Sequence, residues 1–186
     1  MGDNVDNFEK IQKLLNFTNK NALYTVNIFQ RRKDIPDLSK QSKLIKTYFI
    51  RTIDDFVKCK ESIVTLCGEK KARAYIDLNA RDTEKVALYA LKKTADHIAN
   101  KEYDAVKNVY LDACGNSPVI YTKLWMADVD TKDTEILKGI INEENILDII
   151  PTKNGYHIIC HPFPLNKWEK IENVDIIKHC CTLLYM

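Results

Sequence analysis

The chain has 186 residues, of which 45% are hydrophobic and 29% are charged, and its formal net charge is +2. This composition is typical of a globular protein with a sizeable core, and so small a net charge does not by itself indicate a nucleic-acid-binding protein. No run of residues approaches the roughly 18 to 20 apolar residues of a membrane span, and the first residues lack a signal-peptide pattern. We therefore predict a cytoplasmic protein without a membrane partner.

The amino-terminal part of the chain predicts a small α/β module. Hydrophobic periodicity predicts, in chain order, a helix over 7–17, strands over 23–29 and 44–51, and a helix over 53–67. Thr52 is the expected N-cap of the second helix and Gly68 its stop. Basic side chains are concentrated along this part, and they indicate either a solvated face or a surface that follows phosphates: Arg31, Arg32, Lys33, Lys40, Lys43 and Lys46.

The remainder of the chain alternates strands with helices. It predicts a strand over 72–79, a long helix that Asp82 precedes, and a further helix over 103–114. The elements that follow are a strand over 119–128, a helix over 131–141, two strands around Asn154-Gly155, a short segment containing Trp168, and a last strand pair near Ile176 and Leu183.

The order of these elements indicates how the sheet is organised. A strand, a helix and two strands joined by the Asn-Gly signal of a tight hairpin form half of a ferredoxin-like, RRM-like sheet. We therefore expect an α/β (α+β) fold in which a mixed sheet is flanked by helices. Residues 1–70 form an N-terminal module in this prediction, residues 71–186 form the RRM-like core, and the two make one compact unit.

Two aspartates stand one residue apart at the end of an apolar run, in the stretch "WMADVDTKD". On a strand, Asp128 and Asp130 share one face, and Val129 points to the opposite side, into the core. Two ionised carboxylates so close repel each other unless they are solvated or a divalent cation lies between them. Hard oxygen ligands suit Mg²⁺ or Mn²⁺. The alternative is a polar strand end at which Asp130 or Thr131 caps the next helix.

A histidine lies inside the second strand of the predicted hairpin. In "GYHII", His157 alternates with apolar neighbours and so belongs to one face of its strand. If the hairpin lies beside the strand of the aspartates, the imidazole and the two carboxylates share a face of the sheet. Such a group offers anions for a metal ion and a donor for a phosphate oxygen. The alternative is a histidine that only packs.

These motifs, in this order, resemble the catalytic core of the archaeo-eukaryotic primase superfamily, in its small phage and mobile-element form. The matching stretches are "MADVDTKD" and "IIPTKNGYHII", with "RAYIDLNARD" similar to the preceding module, and the resemblance covers roughly residues 70–186. It implies that Asp128 and Asp130 are the metal-binding pair and that His157 contacts the phosphates of the incoming nucleotide. It also implies a third acidic residue on a later strand, for which Asp175 is the nearest candidate.

The resemblance implies a metal-dependent nucleotidyltransferase of the primase-polymerase type. The expected cofactor is Mg²⁺ or Mn²⁺, and the expected partners are nucleoside triphosphates, a DNA or RNA template or primer, and a separate helicase. Thr152 takes the place of a serine found in many relatives, and Lys153 beside it is a further candidate for nucleotide binding. Asn79 and Arg81 are candidates for contacts with substrate phosphate or template, arginine as a fork-shaped donor. The alternative for both is a strand end before the Asp82 cap.

Two other functions remain open at this point. An RRM-like sheet can bind nucleotides or single-stranded nucleic acid without chemistry, through exposed aromatic residues on strands: Tyr24, Tyr48, Tyr75 and Tyr121. Residues 115–117 followed by the aspartate pair also resemble the arrangement in polymerase-β-like nucleotidyltransferases, although Asn116 separates the glycine from the serine.

The cysteines favour packing over a metal site. The six of them show no regular framework spacing, which predicts reduced thiols in a cytosolic protein. A zinc site would have to be assembled from neighbouring ligands that lack the usual C-x₂-C spacing: Cys160, His161, His179, Cys180 and Cys181.

Overall fold

The computed structural model describes residues 4–133, 145–165 and 171–186. The α-helices in these residues are α1 (Phe8–Leu14), α2 (Ile53–Lys70), α3 (Thr83–Ala99) and α4 (Val109–Cys114). The strands are β1 (Ala22–Arg31), β2 (Ser42–Ile50), β3 (Arg73–Asp82), β4 (Trp125–Val129), β5 (Ile146–Pro151), β6 (Tyr156–Cys160), β7 (Val174–Ile177) and β8 (Cys181–Tyr185). None of these helices has the length and apolar character required to cross a membrane. The predicted α+β class is confirmed.

The strands form two antiparallel sheets rather than the expected mixed sheet. The first sheet has the order β2-β1-β3-β8, and the second has the order β5-β6-β4-β7. In the first sheet, β3 from the carboxy-terminal part pairs with β1 from residues 1–70, and β8 pairs with the other side of β3. The division of the chain at residue 70 therefore does not coincide with the division between the sheets.

The second sheet has the strand order expected of an RRM-like core. Along the chain its strands are β4, β5, β6 and β7, and the third of them, β6, lies between the first two. That order of strands is the one found in the split β-α-β arrangement. Of the predicted helix over 131–141, residues 131–133 are not helical and the rest lies outside the described residues, as does the segment at Trp168.

The main core joins the two sheets. On the first sheet, α1 and α2 pack against the face that carries Ile28 and Ile76, and Phe56 of α2 is fully buried in this contact. Met126 and Ile159 of the second sheet belong to the same cluster. The opposite face of the second sheet has its own smaller cluster, built from Trp125, Ala127, Val129, Ile158, Cys160 and Val174. Strand alternation thus turns residues 126, 128 and 130 toward the first sheet.

The structure agrees with the predicted starts of two helices and disagrees with the predicted end of one. Thr52 accepts a hydrogen bond from the Asp55 N–H (3.0 Å) and Asp82 accepts one from the Lys85 N–H (3.0 Å), so both predicted N-caps are confirmed. The predicted stop at Gly68 is wrong. The helix α2 continues to Lys70 and ends because Lys71 takes the left-handed conformation, with φ 47°.

Three strand predictions need correction. The strand expected over 119–128 is regular only in β4, because residues before it are tied to the end of β3 instead, through the Thr122 hydroxyl and the Leu124 backbone. The last two strands do not pair with each other: β7 joins the second sheet and β8 the first. The hairpin turn spans residues 152–155, and Asn154 does not have the positive φ of a two-residue Asn-Gly turn.

Candidate active site

One row of side chains crosses the second sheet. In register, Ile150 of β5 lies opposite His157 of β6, His157 lies opposite Asp128 of β4, and Asp128 lies opposite Asp175 of β7. Residues directly opposite each other in antiparallel strands share a face and stand about 5 Å apart. The two motifs and the later acidic residue are therefore neighbours on the sheet, on the face turned toward the first sheet.

The His157 ring joins the two sheets. Its Nδ1 lies 2.9 Å from the Thr182 hydroxyl and accepts a longer hydrogen bond (3.4 Å) from the Leu183 N–H, both on β8. A ring that accepts at Nδ1 carries its proton at Nε2, and this Nε2 lies 3.4 Å from Asp128 Oδ1. The histidine is 8% exposed and is held from both sides. It can donate from Nε2 toward the pocket described below.

Asp128 is held in its ionised form. The hydrogen bond from His157 lowers the pKa of Asp128, and this effect outweighs the burial that raises it. The positive charges of Lys33 and Arg31 lower the pKa further. The side chain is about one third exposed, so a charged oxygen remains accessible. Asp130 follows at the exposed end of the strand, where its N–H donates to the Asn173 carbonyl (2.9 Å).

Position 155, the first of the Gly-x-His motif, requires a glycine. A Cβ at this position would overlap the Val129 carbonyl oxygen and lie 2.8 Å from the Thr131 nitrogen. The hairpin turn can therefore approach the end of β4 only because residue 155 has no side chain. The Thr152 hydroxyl accepts a hydrogen bond from the Gly155 N–H (3.1 Å) and fixes the turn there. The glycine of one motif packs on the backbone of the other.

A half-open pocket of about 150 Å³ lies between the two sheets at this point. The second sheet contributes the acidic pair and His157, and its hairpin turn contributes Thr152 and Lys153. The wall of the first sheet contributes basic and apolar residues: Arg31, Lys33, Arg73, Tyr75, Cys181 and Leu183. We call this cavity the inter-sheet pocket. One wall is anionic and the other is mainly cationic.

The cations of the inter-sheet pocket differ in how far they are neutralised. Arg73 forms a two-point ion pair with Asp34. Burial raises the pKa of Asp34, but the pairing with Arg73 acts in the opposite direction and the pKa is lowered. The Arg31 guanidinium donates to the Tyr75 hydroxyl (2.9 Å), and within the described part of the chain neither Arg31 nor Lys33 pairs with a carboxylate. Burial and the neighbouring charge of Arg31 lower the pKa of Lys33. Two positive charges thus face the pocket without a carboxylate partner.

The donor set fits a magnesium or manganese ion shared with a phosphate. Such ions are typically held by one or two carboxylates, with the remaining positions filled by substrate phosphates and water. Asp128 and Asp130 supply two carboxylates on one face. Asp175 is exposed beside Asp128 but does not line the inter-sheet pocket. Among the described residues, no three or more acidic, histidine or cysteine side chains converge as a complete protein cage.

Asn79 and Arg81 are not brought to the inter-sheet pocket. The Asn79 side chain donates from Nδ2 to the Leu124 carbonyl (3.2 Å) and accepts at Oδ1 from the Leu124 N–H (2.6 Å). These two hydrogen bonds connect the residues just before β4 to β3. Arg81 is 5% exposed and donates to Asp77 and to the carbonyls of Asn79 and Cys114. In the structure both side chains have internal partners and connect elements of the fold.

Four of the five residues of the zinc alternative are buried or have another partner. Cys160 is buried in the core of the second sheet, and burial raises its pKa to about 11. Cys180 is fully buried in the main core, and Cys181 lines the inter-sheet pocket with a pKa that burial raises to about 12. Protonated thiols are poor metal ligands. His179 is used by Asp77, at 3.1 Å.

The sequence missed most of the cationic wall. Arg31 and Lys33 are noticeable only as members of a basic cluster, in which they cannot be told from the solvated Lys40 and Lys43. Arg73 was not predicted, because it occupies a polar position of an ordinary alternating strand, and Tyr75 was noted only as one of four strand tyrosines that could bind nucleic acid. Residues 115–117 lie at the end of α4 and not at the pocket.

Comparisons of the chain with protein-family models, with curated proteins and with solved structures find no match.

Proposed function

We propose that the protein is a metal-dependent nucleotidyltransferase of the primase-polymerase type. The observation that carries the proposal is that the D-x-D and Gly-x-His motifs lie in one pocket, opposite two cations that pair with no carboxylate among the described residues. The proposed substrates are nucleoside triphosphates and a DNA or RNA primer or template. A separate helicase and a cytoplasmic location belong to the same proposal.

The chain's own residues have distinct tasks in this proposal. Asp128 and Asp130 hold the divalent ion, and Asp175 is a third acidic group beside them. His157 donates from Nε2 to a phosphate oxygen, with its ring fixed by Thr182 so that little orientation is lost on binding. Arg31 and Lys33 neutralise the phosphate tail from the opposite wall, helped by Lys153 of the turn. The bound ion supplies charge neutralisation and activation of the attacking hydroxyl.

The test is incorporation of labelled nucleotide. The protein is incubated with ribo- or deoxyribonucleoside triphosphates, Mg²⁺ or Mn²⁺, and a template with or without a primer. We expect metal-dependent strand extension that the Asp128→Asn/Asp130→Asn variant lacks. An extension that is equal in the variant would exclude the inter-sheet pocket as its source.

One observation favours a second candidate, a nucleotide-binding protein without catalysis. Asp128 already has a partner in His157, at 3.4 Å, and a metal ion would have to compete with that contact. If the pair stays closed, the pocket binds the triphosphate through its cations alone. Nucleotide affinity that is the same with a divalent ion and with a chelator would favour this candidate, and metal-dependent affinity would exclude it.

A further inference from the structure

The face of the first sheet that lines the inter-sheet pocket continues beyond it. In register, Tyr75 of β3 lies opposite Asn27 of β1, and Asn27 lies opposite Thr47 of β2. The next row toward the other end of the strands joins Asp77, Thr25 and Phe49 in the same way. Residues in such rows share a face. The wall of the pocket at β3 is thus continuous with the face of β1 and the edge strand β2.

Part of this continuing face is open and carries aromatic rings. Phe49 is 39% exposed, and its ring meets that of Tyr110 of α4 edge to face, at 5.2 Å. Phe29 meets Tyr75 at 6.4 Å, and Tyr75 lines the inter-sheet pocket. Two ring pairs thus lie at the two ends of the open face. We call these four residues and the polar pair between them, Asn27 and Thr47, the aromatic track.

The polar and charged groups of the aromatic track suit an anionic strand. The Thr47 hydroxyl donates to the side-chain oxygen Oδ1 of Asn27 (2.7 Å), and the side-chain nitrogen Nδ2 of Asn27 has no partner within the described residues. Arg31 lies over Tyr75 at the pocket end, and Arg51 is near enough to Tyr110 to act on it electrostatically. The acid of these rows, Asp77, is buried and paired with Arg81. Cations therefore stand at both ends, and the acid in these two described rows is buried and neutralised.

We propose that the aromatic track binds single-stranded nucleic acid and leads it to the inter-sheet pocket. Partly exposed rings are stacking platforms for bases, and flanking cations follow the phosphates. The distance along β1 from Thr25 to Phe29 is roughly 13 Å, which accommodates several bases at a spacing of about 3.4 Å. A duplex does not suit this surface, because its bases are already stacked on each other. The identification of the strand as the template rests on the proposed function, whereas its binding to the track does not.

The test is the fluorescence anisotropy of a labelled oligothymidylate, titrated with the protein at low salt and without nucleotide or metal. We expect binding by the wild type and weaker binding of a hairpin duplex. Phe49→Leu, which keeps an apolar side chain but removes the ring, should weaken binding about tenfold, and Phe49→Trp should restore it. Tyr103→Leu is the control, since Tyr103 is 66% exposed and has no ring contact with the track.

Arg51→Gln gives a second reading that does not depend on the packing of an aromatic residue. It should weaken binding and reduce the salt dependence by about one phosphate contact. The proposal is overturned if the wild type does not bind the oligonucleotide, if the duplex binds as tightly, or if Phe49→Leu and Arg51→Gln both bind like the wild type.

The outcome is separable from that of the proposed function. Asp128→Asn/Asp130→Asn should bind the oligonucleotide at least as tightly as the wild type, because it removes negative charge from the adjacent pocket. Oligonucleotide binding through Phe49 without any metal-dependent nucleotide incorporation supports the track and counts against the transferase. Metal-dependent incorporation that is insensitive to Phe49→Leu and Arg51→Gln supports the transferase and counts against the aromatic track.

Discussion

The protein contains two clusters that each combine an aspartate, a histidine and an arginine, and the two differ in their surroundings. The first is Asp77 with His179 and Arg81, and the second is Asp128 with His157 and Arg31. Asp77 is 2% exposed and accepts from the Asn79 N–H, from Arg81 and from His179. Asp128 is about one third exposed and has His157 as its hydrogen-bonding side chain. The first group has its charges matched inside the fold, whereas the second presents charges to a cavity. Residue types alone therefore do not distinguish a structural cluster from a candidate site, and the difference lies in the partners.

The largest expected effect concerns the buried cluster. Asp77→Ala leaves the Arg81 guanidinium without its carboxylate, and breaking such a buried pair typically costs about 3–5 kcal/mol of unfolding free energy. Asp128→Ala should cost less than about 1 kcal/mol, because that side chain is partly solvated. Chemical denaturation of both variants measures the contrast. Equal destabilisation by the two substitutions would remove the distinction between the groups.

The second prediction concerns the contact between the two motifs. Gly155→Ala introduces a Cβ that overlaps the Val129 carbonyl oxygen, and we expect a loss of stability of about 1–3 kcal/mol together with weaker nucleotide binding. Two glycines serve as controls. A Cβ at Gly115 would meet its nearest atom at 3.4 Å, so Gly115→Ala should have little effect. Gly68→Ala should stabilise α2 by about 0.5–1 kcal/mol. A tolerated Gly155→Ala would contradict the close approach.

These comparisons also show what the sequence could and could not predict. The α+β class and the N-caps Thr52 and Asp82 depend on neighbours in sequence, and the shared face of Asp128 and Asp130 depends on strand alternation, so they were predictable. The partners of β7 and β8 were not, because two short apolar strands contain no information about which sheet each joins. For the same reason the sequence could not bring Arg31 opposite Asp128, nearly a hundred residues away along the chain.

The third prediction separates binding from packing at His157. His157→Ala should weaken nucleoside triphosphate binding by about 1.5–3 kcal/mol, as expected for a charge-assisted hydrogen bond. It should also lower the melting temperature, because the ring bonds to β8 through Thr182. Thr182→Val is the matched control: it removes that bond, at a cost of about 1 kcal/mol, and keeps the imidazole. Calorimetric titration should find a much smaller loss of affinity in Thr182→Val. Equal losses in the two variants would make His157 a packing residue.

The smallest effect is a pH dependence of the contact between the half-exposed His179 and the buried Asp77. The hydrogen bond to Asp77 raises the pKa of His179 above its ordinary 6.5, although burial opposes this. A raised pKa in the folded state contributes stability that is complete below about pH 6.5 and is lost as the pH rises through the folded-state value. The melting temperature of the wild type should therefore exceed that of His179→Gln most at low pH, and the difference should shrink above neutrality. A difference that grows with pH would reverse the assignment.

The most direct test of the inter-sheet pocket as a metal-nucleotide site is thermal unfolding with Mn²⁺ and a nucleoside triphosphate together. A ligand at about 100 times its Kd stabilises the native state by about 2.7 kcal/mol, which corresponds to a rise in Tm of about 5–10 °C for a chain of this size. We expect this rise in the wild type, a smaller one with either ligand alone, and in Asp128→Asn/Asp130→Asn no more than the smaller rise that the nucleotide gives without metal. A rise of the same size in the double variant would contradict the site.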